Sequence, residues 1–318
     1  MEIFSLTLNQ MLVMFLFIAI GYLAKKLKLL PDNSGVVLSK LENYVLVPAL
    51  VLDSFMSNCS IENLQANYPL ILYCVVLTVT AVLIAVPLSG LFAKGKYDGD
   101  IGYRRNIYKY ALTFGNFSFM GNAVVLGVLG DSGLFKYLLF TLPLNFMVYT
   151  WGMMILIPKG KSNRSVWKNL LNPIFVSLLL GLVLGIFDIR KSLPSFLLTT
   201  ISGAKSCMAP IAMLLTGFII GGYRLQDLIK QKRVYLASLL RLIIIPGVML
   251  GILMLLGAGK EVMTFAVFAF ATPLGLNTIV FPAAFGGDTK TGAAMGIISH
   301  TFGVITLPII YLIFIVLL

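Results

Sequence analysis

Residues 134–157 read LFKYLLFTLPLNFMVYTWGMMILI, an apolar run containing Thr141-Leu142-Pro143, and Thr306-Leu307-Pro308 repeats that triplet near the end of the chain. The echo is one of several in the same order. Gly21 and Pro31 recur as Gly185 and Pro194, Val47-Pro48-Ala49 as Ala209-Pro210-Ile211, and Gly130-Asp131 as Gly287-Asp288. Short matches arise by chance among apolar residues, but this ordered set reads as one unit written twice. Repeat 1 covers about residues 1–160 and repeat 2 about residues 165–318, within a single membrane domain, 1–318.

Hydrophobic residues make up 59% of the chain and charged residues 11%, against about 25% charged in a typical soluble domain. A bilayer core about 30 Å thick takes about 20 apolar residues per helix. Ten such runs occur, at 7–25, 35–57, 68–93, 107–129, 134–157, 171–187, 193–221, 235–257, 263–285 and 293–317. They are continuous, whereas a β-barrel needs alternating segments of about ten residues. The connections leave no room for a soluble domain. The sequence predicts an all-α polytopic membrane protein with ten transmembrane helices.

The net charge of +12 could suggest nucleic acid, but its distribution is a topology signal. Loop 1–2 carries Lys25, Lys26 and Lys28, and loop 3–4 carries Lys94, Lys96, Arg104 and Arg105. Loop 5–6 carries Lys159, Lys161, Arg164 and Lys168, and loop 7–8 carries Arg224, Lys230, Lys232 and Arg233. The alternate loops hold fewer: none in loop 2–3, Lys136 in 4–5, Arg190 and Lys191 in 6–7, and Lys260 in 8–9. Basic residues retained on the cytoplasmic side then place both termini outside the cell (inner) membrane. Met1-Glu2-Ile3-Phe4 puts no basic residue ahead of the first run, and Lys25-Lys26 follow it, the reverse of a cleaved leader. Cys59, Cys74 and Cys207 have no metal-ligand spacing and read as small apolar residues. No metal or cofactor is expected.

Repeat and topology combine. Each half holds five runs, and five is odd, so the second copy enters the membrane from the opposite side. Inverted repeats of this kind recur in secondary transporters, with the site near the midplane where the copies meet. The fourth and ninth runs are the least able to stay helical. One contains Gly115-Asn116-Phe117-Ser118-Phe119-Met120-Gly121-Asn122, the other Thr272-Pro273-Leu274-Gly275-Leu276-Asn277-Thr278 and then Pro282. Proline removes a helix donor, and glycine lowers helix preference by about 1 kcal/mol relative to alanine. In lipid, freed backbone groups are tolerated only where they line a cavity or meet protein. A single run of this kind would read as close packing with a kink. Breakers and asparagines in both halves favour a broken-helix site, with Asn116, Ser118, Asn122, Pro273, Asn277 and Thr278 as substrate-binding candidates.

Several of these stretches carry a resemblance. Leu38-Ser39-Lys40-Leu41 through Val47-Pro48-Ala49-Leu50, Gly115-Asn116 with Phe119-Met120-Gly121, and Gly286-Gly287-Asp288 followed by Thr306-Leu307-Pro308 resemble the auxin efflux carrier family, bacterial branch. The resemblance implies two inverted five-helix repeats in which broken helices 4 and 9 cross. Helices 1, 2, 6 and 7 would form a scaffold, and 3–5 and 8–10 a moving transport domain. It also implies carriage of a small organic anion, such as an auxin-like or dicarboxylic acid, often by a homodimer, with Na+ or H+ as candidate coupling ions. The chain departs from the family's pattern at Asn122-Ala123, where a proline is common.

Intramembrane ionisable residues are rare and costly, at about 2.5–3.5 kcal/mol on insertion scales. Glu42 and Asp53 lie on the second run, Lys205 within the seventh and His300 within the tenth, and these four are the coupling or ion-pair candidates. Lys205 is expected to pair with Asp53 or Glu42, or to stand in for a coupling cation. His300 reads either as a titrating group or as a neutral imidazole bonded to a nearby carbonyl. Lys40 and Arg241 are expected near cytoplasmic helix ends, where long side chains reach water.

An enzyme is not expected. One histidine cannot supply a His-Glu-x-x-His zinc site, and no long nucleotide-binding loop exists. Phe285-Gly286-Gly287-Asp288 lacks the first glycine of an intramembrane aspartyl protease segment. The competing functions are an anion channel and a sodium-coupled bile-acid-type symporter, which fold alone does not separate.

Overall fold

The computed structural model describes residues 2–93, 100–158, 172–285 and 287–317. Lys94, Lys96, Lys159, Lys161, Arg164, Lys168 and Gly286, on which part of the charge pattern and of the resemblance rests, lie outside the described residues. Among the described residues every regular element is helical. In chain order they are α1 (Glu2–Lys26), α2 (Ser34–Asn58), α3 (Ile61–Ala93), α4 (Ile101–Thr113), α5 (Phe117–Phe140), α6 (Leu142–Leu156) and α7 (Pro173–Ile186). Then follow α8 (Ser195–Gly221), α9 (Leu225–Ile229), α10 (Lys232–Leu255), α11 (Lys260–Phe270), α12 (Asn277–Phe285) and α13 (Lys290–Tyr311).

Seven of the described helices are long and apolar enough to cross a membrane: α1, α2, α3, α5, α8, α10 and α13. The fourth run breaks as its glycines suggest, even without a proline, leaving α4 at 13 residues. The ninth run gives α11 and α12, of 11 and 9 residues. The fourth and fifth runs part at Gly130, just past the expected end of the fourth: its φ of 69° and ψ of −168° are not helical and only glycine adopts them readily, so α5 holds two helical stretches either side of this break.

Local chemistry accounts for the ends and the widened turns. The Asp100 carboxylate accepts the Gly102 N–H at 2.7 Å, and Asn172 accepts the Phe175 N–H at 3.0 Å ahead of Pro173. Pro48 and Pro246 have no N–H to return to the preceding turn. The turns just before them, Glu42–Leu46 in α2 and Leu240–Ile244 in α10, widen into π turns.

Two helix groups result. In the first, α1 packs along α8, α7 packs along α2, and α2 meets α8. The repeated glycines serve these seams alike. A Cβ on Gly21 of α1 would stand 2.1 Å from the Leu214 carbonyl oxygen, and one on Gly185 of α7 would stand 2.6 Å from that of Phe55. In the second group, α3 packs on α4 and α6, and α10 packs on α11 and α13. Gly21→Val is expected to lower the thermal midpoint in detergent, since overpacking a tight seam costs about 1–3 kcal/mol. An unchanged midpoint would contradict the close approach.

Candidate functional site: the crossing of two broken helices

The two breaks meet. Gly115 and Leu274 form an isolated antiparallel bridge, and the Asn116 N–H donates to the Pro273 carbonyl at 2.7 Å. Backbone groups released by one broken helix are satisfied in part by the other, as the membrane interior requires. Helix α13 props both segments. The Leu274 N–H donates to Ser299 Oγ at 3.0 Å, and Ser299 donates to Met295 O at 2.6 Å. His300 Nδ1 lies 2.8 Å from the Gly296 carbonyl, so Nδ1 carries the proton and Nε2 accepts from Asn116 Nδ2 at 3.1 Å. Tyr137 Oη lies 3.0 Å from both the Phe117 and Phe268 carbonyls, tying the two broken helices together again.

Arg241 is the residue that hydropathy misplaced. Rather than reaching water near a helix end, it is 1% exposed and lies within the crossing. Its Nη1 donates to the Leu112 and Thr113 carbonyls, each at 3.2 Å, and its Nη2 to the Ala269 carbonyl at 3.0 Å. Those carbonyls belong to the C-terminal ends of α4 and α11. Each helix C-terminus carries about half a negative charge, so one guanidinium offsets both. The widened turn before Pro246 is where Arg241 sits.

A small, closed pocket of roughly 10 Å³, room for about one water, lies beside the crossing, between the two helix groups. Asn43 and Val47 of α2 and Ile174 of α7 line one wall; Ser118, Asn145, Tyr149 and Asn277 face them from α5, α6 and α12. Asn43 donates to Ser39 O at 2.8 Å and Asn145 to Thr141 O at 3.2 Å, which leaves each amide a second N–H and its oxygen. Asn277 Nδ2 donates to Tyr110 Oη at 2.9 Å. The lining offers neutral donors and acceptors and no carboxylate.

Of the residues singled out from sequence, Ser118 and Asn277 line this pocket. Asn116 and Pro273 build the crossing through the bonds above. Asn122 is buried in the first regular turn of α5 behind the pocket, and Thr278 turns its hydroxyl to Gly275 O at 2.8 Å; neither lines the pocket. Asn43, Asn145 and Tyr149 were missed. The one available signal was Asn145, two residues after the repeated Thr-Leu-Pro triplet.

The ends of the molecule differ. At one end, a cavity of roughly 380 Å³ lies between the groups, lined among others by Lys25, Ser39, Lys40, Tyr223 and Thr289. At the other end, Lys205 binds Asp53 at 2.9 Å and also binds Asp131, while Arg190 reaches Asp53 at 3.0 Å and bonds Ser57. Lys205 thus pairs with Asp53, as one of its two expected partners, and joins the first helix group to α5 of the second. Glu42, the other expected partner, makes no ion pair among the described residues. Outside the spans, the Lys25 ammonium holds the Asp32 carboxyl below its ordinary range.

Residues 6–311 match the membrane transport protein family. A protein of Methanocaldococcus jannaschii named as an uncharacterized transporter is 22% identical over 312 residues, covering 95% of this chain and 97% of its own. With a match over nearly its whole length, the chain belongs to the membrane transport protein family, the family of the auxin efflux carriers.

Proposed function

We propose that the chain is a secondary carrier that moves a small organic anion by alternating access, with the substrate carboxylate bound beside the helix crossing. The carrying observation is the charge balance there. Arg241 offsets the C-termini of α4 and α11, while the N-termini of α5 and α12, each about half a positive charge, face no acidic side chain in the pocket lining. A net positive field with amide donors suits one carboxylate. Asn43, Ser118, Asn145 and Asn277 would orient it and Tyr149 would bound the apolar remainder once the two helix groups part, since the pocket, at roughly 10 Å³, is closed to an organic acid in this conformation.

The reading includes ten spans in two inverted repeats, with α4/α5 and α11/α12 as the broken fourth and ninth, and both termini outside. The matched seams at Gly21 and Gly185 support it. So does the division into a group of α1, α2, α7 and α8 and a second group holding both broken helices. In that orientation the Lys25/Lys40 cavity opens to the cytoplasm and the Lys205 cluster closes the outer face. Engineered cysteines in loops 3–4 and 7–8 should label only from the cytoplasmic side; labelling from outside would sink the inverted repeat. In proteoliposomes, radiolabelled organic acids should enter with saturating kinetics and be accelerated by unlabelled acid on the far side. Large unitary currents without such acceleration would identify a channel instead.

A further inference from the structure

We propose that Glu42 binds the coupling ion, a proton, and that it gains and loses this proton as the carrier changes conformation. The proposal rests on the carrier reading for its place in the cycle, but its observations are separate. Glu42 is 0% exposed, and neither carboxylate oxygen has a hydrogen-bond partner among the described residues. It opens the π turn Glu42–Leu46 of α2, which Pro48 widens.

Among the described residues, the elements that pack most on this part of α2 supply no counter-charge. Helix α7 carries no titratable side chain, and neither does α12, which packs on the first part of α2. On α8 there are Lys205 and Cys207. Lys205 is committed to Asp53 and Asp131, and Asp53 lies eleven residues along α2, roughly 16 Å at 1.5 Å per residue. Cys207 is exposed, as are Lys40 and Tyr44 of α2 itself. An ionised carboxylate enclosed in this way would lack both water and a partner, which is strongly unfavourable. With a proton bound the group is neutral. A leucine would fill nearly the same volume with no polar atom to satisfy, so the carboxyl is suited to exchange rather than to packing.

Its position gives the proton a route. Ser39, one turn earlier on α2, lines the Lys25/Lys40 cavity, and Asn43, the next residue, lines the crossing pocket. Helical side chains lean toward the preceding turn, here toward the cavity. Loosening of the α2–α12 seam as the groups move would admit water. The Glu42 O–H bond then breaks, its proton passes to that water, and the carboxylate is reprotonated before the seam closes.

The test uses the purified full-length protein. Infrared difference spectra between H2O and D2O at neutral pH should show a protonated-carboxyl C=O band that is absent in Glu42→Gln. In proteoliposomes, an imposed pH gradient should stimulate wild-type uptake of an organic acid, and Glu42→Gln should lose at least nine-tenths of that stimulation. Glu42→Leu should behave like Glu42→Gln and unfold at or above the wild-type temperature, which separates lost coupling from lost folding. An identical carboxyl band in Glu42→Gln, or gradient stimulation that persists in both variants, would overturn the proposal. Stimulation by sodium instead of the pH gradient would overturn it equally. A wild-type protein that shows the band and moves no acid would refute the carrier reading while leaving the proton site in place.

Discussion

Replacing Arg241 with glutamine is expected to abolish transport and to lower the thermal midpoint more than any other single change described above. The guanidinium holds three carbonyls from the ends of two broken helices, at 3.0–3.2 Å, with 1% of the residue exposed. Hydrogen bonds to a charged group are each worth about 1.5–3 kcal/mol, and the carbonyls left behind in lipid have no water to accept from. Glutamine can satisfy at most two of them and offsets neither helix dipole. Arg241→Lys keeps the charge but lacks the planar fork, so it should retain folding better than Arg241→Gln and recover part of the transport. Equal midpoints for Arg241→Gln and wild type would mean that the crossing does not depend on this cation.

The second large effect is expected at Lys205. Removing one member of a buried ion pair costs about 3–5 kcal/mol, and both Lys205 and Asp53 have side chains less than a tenth exposed. Lys205→Ala should therefore destabilise the fold, and Asp53→Asn should do so less, because Lys205 keeps Asp131. Asp131 is different. Its side chain is 63% exposed, so the pair adds little to global stability. Its consequence is conformational, since it joins α8 to α5 across the two groups. Asp131→Asn should leave the midpoint nearly unchanged yet raise alkylation, from the outer side, of a cysteine placed at Ser118. Unchanged labelling would show that the Lys205–Asp131 contact does not hold the outer face closed.

The all-helical, membrane-spanning character could be read from the residues because lipid makes the rules strict. Apolar runs of about 20 residues announce spans, and Gly115, Pro273 and Gly275 announce breaks wherever they interrupt such runs. The repeated glycines were legible for the same reason: Gly21 and Gly185 meet their partner backbones in the same manner. The site was only half legible. Asn277 and Ser118 were found because they sit beside the breaks, but Asn43 and Asn145 come from unbroken helices that reach the pocket only through tertiary packing. Asn122 and Thr278 sit near the breaks in sequence yet do not line the candidate pocket. Arg241 was misjudged because hydropathy locates a charge along a helix and says nothing about which side of it is lipid. Its three carbonyl partners come from residues 28 to 129 positions away, which no local pattern reveals.

The central claim is that the pocket beside the crossing holds the transported anion. It is tested most directly by the concentration dependence of organic-acid counterflow in proteoliposomes containing wild type, Asn145→Ala or Asn277→Ala. Both side chains line the pocket. Each is expected to raise the half-saturating concentration about tenfold, the equivalent of 1.4 kcal/mol, with thermal midpoints close to wild type. Wild-type saturation in both variants would place the substrate elsewhere and contradict the account.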